Sequence, residues 1–327
     1  MKPTVAVTIG DFNGIGPEVA LKAAAHPGVR KICTPLLVGP LNVFEHVQKS
    51  LKIRIRLEKG SFVGKQTAVT PVLDVGDGIW ADVKFGQTTK SAGKSAGVAI
   101  VKAVELCTAG RANAMVTAPL SKEALNLAGY HFPGQTEMIA LLSRSQRVAM
   151  MLVSKKMRVG LVTIHTALRD AADQIAKEKI VDKVTIVHDA LVKNFRIAKP
   201  RVAVLALNPH AGEHGLMGKE EQESIAPAIE QLQSVGISAT GPFPADAFFG
   251  TGEYKKYDAI VAMYHDQGLI PLKMSSFGKG VNFSAGLNII RTSPDHGTAY
   301  DIAGKGKADI SSMVEAIKLA VQFSDNS

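Results

Sequence analysis

Val202-Ala203-Val204-Leu205-Ala206-Leu207-Asn208-Pro209-His210 is an apolar run that ends in a turn and an imidazole. Two further stretches share the form: Val159-Gly160-Leu161-Val162-Thr163-Ile164 before His165, and Ala259-Ile260-Val261-Ala262-Met263-Tyr264 before His265. Unbroken apolar runs of this length suit strands buried on both faces, as in parallel sheets. In such sheets ligands bind beyond the carboxyl ends of the strands. Three imidazoles delivered to that edge can hold one divalent metal and leave coordination positions open, which is a catalytic layout. The chain has nine histidines, so three unrelated ones are the plain alternative. The repeated position at the end of a strand-like run favours the joint reading.

Outward from these runs, short apolar segments alternate with longer helical patterns. The pattern predicts strands over residues 4–9, 35–38, 114–117, 148–153, 158–164, 201–207 and 259–264. It predicts helices over residues 17–25, 97–108, 136–142, 174–195, 220–235 and 313–321. Pro17 suits a first helical position, and Glu18 is favourable beside the positive helix end. Alternation of this kind predicts an α/β fold with mainly parallel sheets. Two domains are expected, with chain crossings near Leu120 and Asn288. The first would hold residues 1–120 plus 289–327, the second residues 121–288.

The 327 residues are 46% hydrophobic, enough for two moderate α/β cores. The formal net charge is +9, from 38 basic and 29 acidic residues. The densest basic patch, Lys49, Lys52, Arg54 and Arg56, has no aromatic residues interleaved. With only 6% aromatic residues overall, a nucleic-acid stacking platform is not expected. An anionic small substrate accounts for the positive balance, as does a solvated surface. Cys33 and Cys107 form no C-x-x-C pair and are expected to pack as small apolar side chains in a reducing compartment. The N-terminal residues run straight into a strand pattern, and no apolar run is long enough to span a bilayer. The expectation is a cytoplasmic protein with no membrane partner.

Several segments carry chemistry. Gly10-Asp11-Phe12-Asn13-Gly14-Ile15-Gly16-Pro17-Glu18 joins the first strand to a helix, where free N–H groups can face an anion. It lacks the spacing of the G-x-G-x-x-G dinucleotide fingerprint, so a tight strand-to-helix turn is an equal reading. Pro133-Gly134-Gln135-Thr136-Glu137 offers an amide, a hydroxyl and backbone donors at a helix start, or simply an N-cap. His265-Asp266-Gln267-Gly268 leads to Lys273, and Asn282 and Arg291 follow. Two cations and an amide fit a phosphate or carboxylate, although each charge taken singly reads as a surface residue.

The most specific string runs from Ser293 to Gly306 and contains Asp295-His296-Gly297-Thr298-Ala299-Tyr300-Asp301. It resembles the adenosine-binding loop of the isocitrate and isopropylmalate dehydrogenases. In that resemblance His296, Gly297 and Thr298 meet the cofactor, and Asp301 falls where an acidic residue meets the adenosine ribose. A carboxylate there accepts the ribose hydroxyls and repels a 2′-phosphate, favouring NAD while leaving NADP possible.

Taken together, the segments resemble the 4-hydroxythreonine-4-phosphate dehydrogenase family of vitamin B6 synthesis. The likeness covers essentially the whole chain, through Val116-Thr117-Ala118-Pro119-Leu120, Asn208-Pro209-His210-Ala211-Gly212-Glu213 and Tyr264-His265-Asp266-Gln267-Gly268. The resemblance implies an isocitrate/isopropylmalate dehydrogenase-like fold, with two α/β/α domains and the active site in the cleft between them. It implies that His165, His210 and His265 bind one divalent metal per site. It implies substrate contacts from Thr136, Lys273, Asn282 and Arg291. It also implies a homodimer with the active site at the subunit interface. By ligand softness the imidazoles suit Zn²⁺ or Co²⁺ better than Mg²⁺, although availability often decides.

Two positions depart from the family pattern. Asp11-Phe12-Asn13-Gly14 stands where the family usually has Asp-Pro-Ala-Gly, and Gln135 stands where it usually has His. Glutamine can still hydrogen-bond substrate but cannot change charge near neutral pH. The expected reaction is NAD- and metal-dependent oxidation, with decarboxylation, of 4-phosphooxy-L-threonine to 3-amino-2-oxopropyl phosphate. The Gln135 departure keeps 4-phospho-threonate and 4-phospho-erythronate as alternative substrates. Lys273 and Asp246 are the candidates for proton handling, with a structural hydrogen bond the plainer role for Asp246. A metal-dependent hydrolase or aldolase, or a non-catalytic phosphate-ligand sensor, is the rival reading.

Overall fold

The computed structural model describes residues 2–60, 69–76 and 82–325. In chain order its strands are β1 (Thr4–Thr8), β2 (Thr34–Gly39), β3 (Leu57–Lys59), β4 (Thr70–Asp74), β5 (Ala114–Thr117), β6 (Ala149–Val153), β7 (Arg158–Leu161), β8 (Arg201–Leu205), β9 (Ser238–Phe243), β10 (Ala259–Ala262), β11 (Val281–Ala285) and β12 (Arg291–Pro294). The chain forms two compact units, the first of residues 1–146 and 287–325 and the second of residues 147–286.

In the first unit the strand order is β3-β4-β2-β1-β5-β12, and every pairing is parallel. Val7 of β1 pairs with Leu37 on one side and Val116 on the other, and all three are fully buried. A strand covered on both faces accounts for the unbroken apolar reading of the N-terminal run. The crossing expected near Leu120 falls at 146/147, because the next segment stays packed in this unit. A Cβ on Gly93, in the helix Lys90–Thr108, would lie 1.8 Å from the carbonyl oxygen of Ala124, and one on Gly97 would lie 2.2 Å from the Tyr130 ring. Two glycines therefore let the helix Lys122–Leu127 and the residues after it lie directly against the longer helix.

In the second unit the order is β11-β6-β7-β10-β8-β9. β6 is antiparallel to β11 and to β7, and β7-β10-β8-β9 are parallel. The β6–β7 reversal is tight because Ser154 Oγ accepts from the backbone N–H of Lys156 and Met157. The core joins Leu152, Val159, Leu161, Ala203, Leu205, Ile260 and Ala262 to Leu269 and Leu272 of the helix His265–Ser276.

That helix begins where the sequence pattern continues a strand to Tyr264. Pro271 lies inside it and disguises it, since proline removes an internal N–H. Gly268 lets the helix sit close against the sheet; a Cβ there would be 2.6 Å from Val159. The helix expected over 220–235 is instead a π-turn, Glu221–Ile225, followed by an α-helix, Ala226–Ser234. Cys33 and Cys107 are free thiols, and burial pushes both up to about 12, which suits inert packing. Among the described residues no helix is long and apolar enough to cross a membrane.

Candidate active site

The second unit carries the three histidines beyond the carboxyl ends of β7, β8 and β10, which are adjacent in the sheet. The His165 and His265 rings are 6.1 Å apart between centroids and tilted by 40°. His265 is the first residue of its helix, and its Nδ1 lies 2.7 Å from Asp266 Oδ1. An ionised carboxylate only accepts, so this contact orients the ring and leaves Nε2 for a metal.

Buried side chains tie the strand ends together. Thr163 Oγ1 donates to the Met263 carbonyl at 2.7 Å, joining β7 to β10. Gln267 Oε1 accepts from Met263 N at 2.7 Å, and its Nε2 donates to the Ala206 carbonyl at 2.6 Å, joining β10 to β8.

His210 lies in an unusual segment. His210, Ala211, Gly212, Glu213 and His214 have φ of 51°, 55°, 76°, 42° and 58°, a left-handed turn. For an L-residue that conformation costs roughly 1–2 kcal/mol, and it persists only when its surroundings over-determine it. Among the described residues no three His, Cys, Asp or Glu side chains are grouped so as to hold a metal. His165 and His265 approach each other, but the trio is not gathered within one chain.

The first unit holds a different kind of centre. Arg291, read singly as a surface charge, is 0% exposed. Its Nε and Nη2 donate to Thr117 Oγ1 at 3.1 and 2.7 Å, and its Nη1 lies 3.5 Å from Thr136 Oγ1. Burial pulls the guanidinium down to about 10, and the charge of Glu137 works against that shift. Arg291 therefore stays a cation at neutral pH. The Gln135–Glu137 string and the Val116–Thr117 string meet at this one side chain. Gln135 Oε1 is buried without a hydrogen-bond partner.

The first unit also carries the loop that resembles an adenosine site. His296, Gly297 and Asp301 are exposed, and a Cβ on Gly297 would meet nothing. Thr298 is anchored, since its carbonyl accepts from Ile15 N at 2.9 Å. The exposed Asp301 carboxylate and the open backbone at Gly297 suit a ribose and its neighbouring groups. Tyr300 donates from its hydroxyl to Asp11 Oδ2 at 2.7 Å. Burial raises the Asp11 carboxyl above its ordinary value, against the hydrogen bonds from Tyr300, Asn13 and Gly14.

The remaining expected residues lie in the second unit. Asn282, on β11, has Oδ1 buried without a hydrogen-bond partner. Lys273 is exposed on the helix His265–Ser276. Asp246 is exposed in the first turn of the helix Ala245–Gly250.

With this geometry in view, the chain matches the family described as Pyridoxal phosphate biosynthetic protein PdxA over residues 31–320. The chain belongs to the PdxA family. It is 44% identical over 325 residues to the 4-hydroxythreonine-4-phosphate dehydrogenase of Geobacter metallireducens, covering 98% of this chain and 96% of that one. It is 42% identical to the D-threonate 4-phosphate dehydrogenase of Cupriavidus necator, covering 98% and 97%. The crystal structure of 4-hydroxythreonine-4-phosphate dehydrogenase from Klebsiella pneumoniae is similar with a TM-score of 0.86 at 38% identity, covering 99% and 98%.

Within the PdxA family frame, the Phe12-Asn13 departure has a structural explanation. Phe12 is fully buried. Asn13 Nδ2 donates to the Gln87 carbonyl and to Thr89 Oγ1, each at 2.9 Å, and its Oδ1 accepts from Lys84 N at 2.7 Å. Sequence reasoning missed Thr163, Gln267, Glu221 and Thr117, the residues that hold the candidate site residues in place. The signal for Gln267 was present in the Tyr264–Gly268 string. Glu221 lies 11 positions past His210 and left no local signal.

Proposed function

We propose that this PdxA-family chain is an NAD-dependent, divalent-metal-dependent dehydrogenase that oxidises 4-phosphooxy-L-threonine, with loss of CO₂, to 3-amino-2-oxopropyl phosphate. The observation that carries the reading is the buried Arg291, a cation held by Thr117 on the same strings that liken the chain to its relatives. Arg291 and Thr136, in the first unit, are the contacts for an anionic end of the substrate, and Lys273, in the second unit, is a further candidate substrate contact. Gln135 and Asn282 each offer a buried amide oxygen that lacks a donor, which a substrate hydroxyl or ammonium satisfies. Contacts of this kind orient the carbon to be oxidised.

The donor chemistry at the strand ends fits a divalent cation, with His265 oriented by Asp266 and the trio completed by a second copy of the chain. When bound, a divalent metal there would supply Lewis-acid stabilisation of the substrate oxygen, and NAD would supply the hydride acceptor. His296, Gly297, Thr298 and Asp301 bind the cofactor, and the Asp301 carboxylate disfavours a 2′-phosphate. Lys273 is the candidate for moving a proton, with Asp246 the second candidate.

A second reading is oxidation of D-threonate 4-phosphate. Gln135 at the usual histidine position keeps it open, and the chain is also 42% identical to the Cupriavidus necator enzyme. Its Oε1 accepts equally from an ammonium or a hydroxyl, so the amide by itself does not select the amino acid.

The test is NADH formation from 4-phosphooxy-L-threonine, threonate 4-phosphate and erythronate 4-phosphate, with NAD and with NADP, for the wild type and Gln135→His. At least tenfold higher kcat/KM for the amino acid supports the first reading, and the reverse order supports the second. Gln135→His is expected to shift the ratio by about tenfold, the equivalent of one hydrogen bond. No NADH from any of the three substrates rejects both readings.

A further inference from the structure

We infer that Glu221 is the positioning residue that aims His210. The inference rests on the reading of His210 as a metal ligand and goes beyond it, since nothing in the sequence marks Glu221. Glu221 is 3% exposed and sits at the start of the π-turn Glu221–Ile225. Its Oε1 accepts from the backbone N–H of both Leu207 and Asn208 at 2.8 Å. Its Oε2 accepts from Asn208 Nδ2 at 2.9 Å, and that same amide nitrogen donates to Glu220 Oε2 at 2.7 Å.

These bonds meet a specific need. β8 ends at Leu205, and Ala206 N still donates to Phe243 on the neighbouring strand. Beyond it the N–H groups of Leu207 and Asn208 find their acceptor in Glu221, and Pro209 has no N–H. One carboxylate thus caps the strand end from which His210 departs.

The same carboxylate braces the turn itself. Gly212 lies at the middle of the left-handed segment, and a Cβ there would stand 2.6 Å from Glu221 Oε2 and 2.9 Å from the Gly218 carbonyl oxygen. A left-handed turn that includes His210, Ala211, Glu213 and His214 does not hold itself. Glu221 grips its entry through two amides and packs against its centre. π-turns of this kind recur at functional sites. Partners beyond the ligands commonly set metal affinity, with losses of about 10–100-fold when they are removed.

The test is titration of the full-length apo protein with Co²⁺, read by d–d absorbance, alongside its thermal melt. In Glu221→Gln, one oxygen still caps the two backbone amides, but an amide nitrogen now faces the donor of Asn208. The expected result is Co²⁺ affinity about 10–100-fold weaker with an altered d–d band, while the apo melt stays near wild type. Gly212→Ala, which presses on the same carboxylate, should weaken Co²⁺ in the same direction.

His210→Ala separates the positioning role of Glu221 from metal binding by His210. If His210→Ala loses Co²⁺ while Glu221→Gln keeps wild-type affinity and spectrum, the positioning role is overturned and the metal reading stands. If His210→Ala binds as wild type does, the metal reading fails and takes this inference with it. Should Glu221→Gln not fold, Asn208→Ala carries the test, because it removes that side chain's links to Glu221 and Glu220. A several-fold loss of Co²⁺ affinity then supports the role, and unchanged affinity overturns it.

Discussion

Arg291 and His210 are both central to the proposed chemistry, yet they sit under opposite conditions. Arg291 is sealed from solvent, and two of its donors are already spent on Thr117. His210 is exposed on a strained turn, and the described residues of one chain do not gather it with His165 and His265 into a metal-sized cluster. The anion-binding half of the chemistry is prebuilt within one chain. The proposed metal-binding half rests on rings that the described residues of one chain do not group together. A fully buried cation can be held without a ligand because hydrogen bonds offset its lost hydration. In the proposed chemistry the imidazoles of His165, His210 and His265 come together when the metal and a second chain bind.

The largest expected effect tests the metal-binding half. Each of His165→Ala, His210→Ala and His265→Ala should lower kcat/KM by at least about 10³-fold, as should removal of metal by a chelator. The variants are then co-refolded in pairs. If the trio is split two and one between chains, two of the three pairwise mixtures recover activity and the third stays dead. Random pairing makes roughly half the dimers mixed, so about a quarter of all sites recover. The silent pair names the two histidines that share a chain. If all three mixtures stay dead while refolded wild type is active, the ligands come from a single chain and the contrast with Arg291 collapses.

A middle-sized effect tests the prebuilt half. Arg291→Lys keeps a charge but loses the planar fork that meets Thr117. KM for the phosphorylated substrate should rise about 10–100-fold, with Co²⁺ affinity of the apo protein unchanged. Unchanged KM would make the Arg291 nest a structural centre only.

The smallest effect concerns Asp11, a buried acidic residue of the first unit. The folded-state pKa of Asp11 is raised, chiefly by burial, so folding binds its proton more tightly than the unfolded chain does. Its favourable contribution is complete below the unfolded value of 3.8 and is lost as pH rises through the folded one. Asp11→Asn keeps an acceptor for Asn13 N and offers a donor to the Tyr300 oxygen. It should melt higher than wild type at pH 7, by about 2 °C, and level with it near pH 3. A lower melt at pH 7 would show that the ionised carboxylate is preferred there, as it is for a prebuilt charge with full partners.

Much of this was legible in the sequence, and the limits have physical causes. The strands carrying His165, His210 and His265 were readable because burial on both faces leaves an unbroken apolar run. β9, with Gly241 and Pro242, and the short β12 carry too little such signal to be seen. The helix from His265 was hidden by Pro271, which lies inside it against local preference. The family strings drew attention to Arg291, Thr136 and Gln135. Nothing local could show that Arg291 is buried, because its partner Thr117 lies 174 positions away. Glu221 was silent for a related reason: it acts on backbone amides, and any residue type leaves the same amide.

The three hydrogen bonds of the Asn13 amide carry a consequence for engineering. They make the turn after β1 and the residues 84–89 one interchangeable part instead of two. Grafting the usual Pro-Ala of relatives onto positions 12 and 13 alone would strand the Lys84 amide, the Gln87 carbonyl and the Thr89 hydroxyl, and would empty the space that Phe12 fills. A chimera that respects the joint must exchange both segments at once.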